Sequence, residues 1–213
     1  MATSLDRWIT VQREALMAYA RRWGAPPVAL MNMASLANLA RADGTGGAWT
    51  PLPGVDAGSA MAFRTEAEAS LWVDPRSDSY VRYFRKFLET LCGVDASALT
   101  TTYDIDHLYN RERAINFGYA YVRMFPVRIG ANRSHGAGYE KAITEADLGR
   151  RAKLMKLMDT VSMLKLNNAL SPRVGGAFTP EQQEVIAKVA AALGISVREV
   201  EAEIDAMMSR AFA

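Results

Sequence analysis

Apolar residues recur at helical spacing over residues 5–23. Leu5, Trp8, Ile9, Leu16, Tyr19 and Trp23 share a face, and Ser4 can cap the first turn. Gly24 ends the pattern, and Pro26-Pro27 prevents its continuation. A second helix is predicted over 27–42, with Leu30, Met33, Leu36, Ala37 and Ala40 as its stripe. Its methionines read as gap-filling core rather than a cofactor surface. Residues 43–59 are rich in Gly, Pro and Asp and form a loop. No Gly-Lys-Ser/Thr follows the glycines, so they are not a P-loop.

Residues 61–73 carry two signals: 65–69 favour helix and 71–73 favour strand, before Asp74-Pro75 stops the segment. Asp78 is predicted to cap a helix with Tyr80, Val81, Phe84, Phe87, Leu88 and Leu91 on one face and Arg82, Arg85 and Lys86 on the other. Residues 101–108 alternate and predict a strand ending at Asp106-His107, and 119–127 predict a second strand. Asn132 leads into a turn with Gly136 and Gly138, and 139–141 run towards helix. A long helix is predicted from Thr144, striped by Leu148, Ala152, Met155, Met158 and Val161. Ser171-Pro172 and Gly175-Gly176 form a linker. Thr179 to Gln182 and Ser196 to Glu199 are two capping boxes that open an antiparallel helical hairpin.

The pattern predicts an α+β protein, mostly helical, with a small strand–strand–helix element in its centre. Three parts are expected: an N-terminal helical arm (1–43), a central body (60–170) and a C-terminal helical hairpin (177–213). The net charge of +2 announces no global field for a nucleic-acid partner. The single cysteine, Cys92, rules out an intrachain disulfide and a thiolate zinc site, and it reads as a buried structural thiol. No apolar run is long enough to span a bilayer, so no membrane is expected as a partner. The first residues lack the apolar stretch of a Sec signal. A cytoplasmic location is expected, with export by a signal-less route left open.

Both histidines fall in the central stretch, each beside oxygen-bearing side chains. Asp104-Ile105-Asp106-His107-Leu108 resembles the first half of the HNH (ββα-metal) endonuclease motif, in which an Asp-His pair ends the first strand. Ala131-Asn132-Arg133-Ser134-His135-Gly136 resembles its last element. The resemblance implies a metal-dependent nuclease that hydrolyses DNA, or RNA, with a ββα-metal-like element. It implies Asp106 and Asn132 as metal ligands, His107 as general base, and His135 as a further ligand or phosphate contact. Arg133 would stabilise the phosphoryl charge. Mg²⁺ or Mn²⁺ suits oxygen ligands, and His supplies a base near neutrality. Small nucleases of this kind include toxins, which would need a cognate inhibitor or immunity protein. The chain departs from the family at the middle Asn, whose usual place falls near Arg123 or Phe125; Asn110 and Asn116 are the alternatives.

Two other readings use the same residues. Asp104 and Asp106 share a strand face, where like charges call for a metal or an arginine partner. Arg111, Arg113 or Arg123 as that partner would make a structural ion cluster. Alternatively, Arg111, Arg113, Arg123, Arg128 and Arg133 form a surface through which a non-enzymatic module binds nucleic acid or an acidic protein.

Overall fold

The computed structural model describes residues 4–42, 44, 46–97, 99–144, 151–152 and 154–213. Helix α1 (Leu5–Trp23) starts where Ser4 accepts a hydrogen bond from the Arg7 amide and stops at Gly24, which takes the left-handed conformation. Strand β1 (Pro27–Leu30) is fully buried and precedes helix α2 (Met33–Ala42). The helix expected over 27–42 is therefore two elements. A four-residue apolar run looks the same in a buried strand and a buried helix. The break is set by Asn32, whose side chain accepts hydrogen bonds from the Ser35 amide and hydroxyl.

Strands β2 (Ala48–Pro51), β3 (Ala60–Arg64) and β4 (Ala69–Val73) follow. β3 and β4 resolve the ambiguous stretch as a hairpin, closed by Thr65 and Glu68 exchanging backbone and hydroxyl hydrogen bonds. Helix α3 (Tyr80–Phe87) continues into a π-helical turn (Leu88–Cys92). Its N-cap is Ser79, not Asp78, which pairs with Arg111 instead. A short helix α4 (Leu99–Thr102) takes the start of the stretch expected to be strand, and β5 (Tyr103–His107) takes the rest. Helix α5 (Arg111–Asn116), capped by Asn110, leads to β6 (Tyr121–Arg128), then α6 (Ile129–Ala137) and α7 (Tyr139–Ala142).

The long helix expected from residue 144 is not formed over 151–159. β7 (Arg151–Ala152) and β8 (Met155–Leu157) pair there, and α8 (Thr160–Leu166) begins only after Asp159, whose carboxylate caps Ser162. Leu148, in the expected stripe, lies outside the described residues. The last two helices, α9 (Pro180–Leu193) and α10 (Val197–Ala211), carry both expected capping boxes.

Among the described residues the strands form one antiparallel sheet in the order β2-β3-β4-β6-β1-β8-β7, with β5 on β6. Met124 of β6 is paired with Leu71 of β4 and with His107 of β5. The protein is α+β as expected, but the two central strands belong to a larger sheet. One face packs against α1, α3 and α8–α10 through Trp8, Leu71, Val122, Leu164 and Ile186. The other holds a smaller cluster of Leu30, Leu36, Phe63, Trp72, Tyr121 and Met155. β1, from the stretch expected as an N-terminal arm, lies inside the sheet, and α1 and α9 share one core.

Candidate functional site

β5, β6 and α6 give the expected order of strand, strand and helix, with α6 packed on both strands. Successive side chains of β5 point to opposite faces. Asp104 and Asp106 therefore share one face, and His107 lies on the other. Each meets a different environment.

On the carboxylate face, Lys165 of α8 reaches Asp106 and Glu140. Its Nζ lies 2.6 Å from Asp106 Oδ2 and 2.5 Å from Glu140 Oε1. The lysine side chain is 4% exposed and that of Asp106 14%, so water screens the pair poorly. Desolvation raises the Asp106 pKa to about 6 despite Lys165, with Glu140 and Asp104 adding to the rise. Burial disfavours the Lys165 ammonium, but Asp106 and Glu140 outweigh it and hold its pKa above the ordinary value. Asp104 is met by Asn132, whose Nδ2 donates to Asp104 Oδ2 at 3.1 Å.

On the opposite face, the His107 ring packs against Tyr80, with ring centroids 4.6 Å apart. Its Nε2 is buried with no hydrogen-bond partner among the described residues. Burial, then Arg111 and Lys165, lower its pKa to about 4. The imidazole is neutral at pH 7, and no described residue hydrogen-bonds its Nε2. His135 is wholly buried in α6. Its Nε2 lies 3.1 Å from the Ala169 carbonyl, which can only accept, so Nε2 carries the proton. Nδ1 has no partner among the described residues, and burial lowers this pKa also to about 4.

In this structure the expected ligands are engaged by other protein groups. A divalent cation needs several oxygen or nitrogen ligands converging on one point. Asp106 is paired with an ammonium, the Asn132 amide donates to Asp104, and His135 is turned to Ala169. Among the described residues no three His, Cys, Asp or Glu side chains are placed to hold one. Asp106, His107, Asn132 and His135 thus neighbour one another in the fold without forming one centre.

The arginine surface is also divided. Arg111 donates to the Pro75 and Arg76 carbonyls and pairs with Asp78, pinning the loop before α3. Arg113 donates to the Glu140 and Ile143 carbonyls. Arg123 is 1% exposed, paired with buried Glu68 and set over the Tyr19 and Trp72 rings, so it cannot reach a macromolecular partner. Arg128 and Arg133 are exposed. They adjoin a cleft of about 340 Å³ lined by Tyr80, Tyr103, Asp104 and Asn132: Arg128 is the cross-strand neighbour of Tyr103, and Arg133 follows Asn132. Cys92 is half-buried and burial pushes its thiol up to about 11, consistent with a structural role.

Lys165 and Glu140 were not among the sequence candidates. The available signal was a lone lysine inside the apolar run Thr160–Leu166, since a cation that a short helix buries needs carboxylates nearby. No family model, curated protein or solved structure matches the chain. No helix of the described residues is long and apolar enough to cross a membrane.

Proposed function

We propose that the chain is a non-enzymatic module that binds nucleic acid, built on a strand–strand–helix element whose carboxylates are neutralised from within. The observation that carries this reading is Lys165, whose ammonium lies between Asp106 and Glu140. It supplies the positive charge that a bound cation would otherwise bring, and it is tethered to α8. The neutral His107, whose Nε2 has no partner among the described residues, supports the same reading. Nucleic acid is favoured as partner because Arg128 and Arg133 are exposed beside a cleft containing Tyr80. Cations contact phosphates and an aromatic ring offers a stacking face.

The second reading is the metal-dependent nuclease. The β5–β6–α6 order favours it, with Asp106-His107 ending the first strand and Asn132 on the helix. That activity requires Lys165 to leave Asp106. One experiment separates the two: binding of labelled single- and double-stranded DNA and RNA by anisotropy, beside plasmid and RNA cleavage with Mg²⁺, Mn²⁺ or EDTA. We expect salt-dependent binding without metal-dependent cutting. Cutting that vanishes in His107→Ala would replace this reading with the nuclease. Absence of any binding at low salt would sink the nucleic-acid assignment.

A further inference from the structure

A second cleft, of about 510 Å³, lies between α1 and α9, away from β5. Its volume is within the range of small-molecule sites. Arg13, Met17 and Arg21 line it from α1, four residues apart and so on one helical stripe. Lys188 and Ala192 line it from α9. The stripe sets a cation at each end of an apolar floor formed by Met17 and Ala192, both buried. Lys188 already has a carboxylate partner, Glu184, at 2.6 Å.

Arg13 differs from the other cations here. It is half-buried, and its Nε donates to the Leu166 carbonyl at 2.9 Å, which fixes the guanidinium against the end of α8. No carboxylate pairs with it among the described residues. Arg111, Arg123 and Lys165 each have an acidic partner, whereas Arg113, like Arg13, is held by backbone carbonyls, but away from this cleft. Burial lowers the Arg13 pKa, Tyr103 opposes that shift in part, and nearby Arg128 adds to it. A guanidinium withdrawn from water and left without a counter-charge gains from any oxyanion that enters the cleft.

We propose that this cleft binds a small phosphate-bearing ligand. The phosphate accepts from Arg13, and the apolar body of the ligand covers Met17 and Ala192 towards Arg21. Phosphate is preferred over a monoanion because it carries more charge and more acceptor oxygens to the cations at the cleft. Glu14, the carboxylate lining the cleft, opposes the ligand. The site does not depend on the nucleic-acid reading.

The test titrates the full chain with hexyl phosphate, inorganic phosphate and a twelve-nucleotide DNA. It follows the arginine Nε–Hε resonances by NMR and the heat of binding by calorimetry. Hexyl phosphate should shift Arg13 and bind more tightly than inorganic phosphate, because its tail is buried. Arg13→Met should weaken it at least about tenfold, as loss of a charged partner does. Glu14→Gln changes an exposed side chain, so it tests the site even if Arg13→Met does not fold. It should tighten hexyl phosphate about two- to fivefold. The proposal is overturned by no shift at Arg13, by equal affinity for hexyl and inorganic phosphate, or by Glu14→Gln leaving affinity unchanged. It is also overturned if the oligonucleotide shifts Arg13 and hexyl phosphate does not.

Discussion

Lys165 of α8 joins two carboxylates that are far apart in sequence, Asp106 at 2.6 Å and Glu140 at 2.5 Å. Removing the ammonium leaves two acids facing each other with little water. Lys165→Met should therefore cost about 3–5 kcal/mol, the usual loss when one partner of a buried ion pair is deleted. Adding Asp106→Asn should recover much of it, since one uncompensated charge is gone. Urea melts of wild type, single and double variants measure both. A Lys165→Met protein within about 0.5 kcal/mol of wild type would mean that the ammonium holds nothing together.

The two histidines make the fold sensitive to acid. Each has a folded pKa of about 4, below its ordinary value of 6.5, so the unfolded chain takes up protons first. Their contribution is complete above pH 6.5 and is lost as pH falls towards 4. Asp106 acts in the opposite sense. Its folded pKa of about 6 lies above 3.8, so its neutral form favours the fold at low pH and that gain disappears as pH rises through 6. Between pH 4 and 6 the unfolded state holds two histidine protons and the folded state one on Asp106. The histidine protons outnumber the one on Asp106, so stability falls on acidification, by roughly 1 kcal/mol per pH unit. His107→Phe, which keeps a ring against Tyr80, should roughly halve the histidine part. Unfolding free energies across pH 4–7 that stay flat would contradict the assignment.

Much of the fold could be read from the chain where capping and periodicity agreed. α1, α9 and α10 begin at Ser4, Thr179 and Ser196 and end near glycine or the chain end, as their patterns required. The β5–β6 pair was legible because its strands alternate or carry β-branched and aromatic residues. Elsewhere, short elements defeated the periodicity. β1 and β8 are short runs too brief to separate from helix, and their identity is set by pairing: β1 with β6 and β8, and β8 with β1 and β7. The candidate site was legible only in part. Asp104 and Asp106 do share a face, but Asp104 is met by Asn132 and Asp106 by a lysine from about sixty residues later, which tertiary packing alone brings there. Arg123 read as a partner of Asp104 and Asp106 or as a surface cation, because nothing local to it announced Glu68 in the turn between β3 and β4.

That pair gives the third prediction. Arg123 and Glu68 are 2% and 3% exposed and lie beside Trp72 and Tyr19. Arg123→Met alone should lose about 3–5 kcal/mol, because it strands a buried carboxylate. Arg123→Met with Glu68→Leu should return close to wild type, since apolar side chains of similar size suit the aromatic surroundings. The double-mutant cycle reads the coupling directly. Additive losses would mean that the two charges act independently.

The exposed cations give the last prediction, which rests on the nucleic-acid reading. Phosphate contacts release counterions, so the slope of log K against log salt counts them at about 0.9 per contact on duplex DNA. Arg128→Ala and Arg133→Ala should each weaken binding similarly for all sequences and reduce that slope by about one. Arg111→Ala should behave differently. Its guanidinium holds Asp78 and the Pro75 carbonyl, so its loss should lower stability and leave the slope unchanged. Anisotropy titrations at four salt concentrations, paired with urea melts, separate the two effects. A slope unaltered in both Arg128→Ala and Arg133→Ala would remove this surface from contact with phosphate.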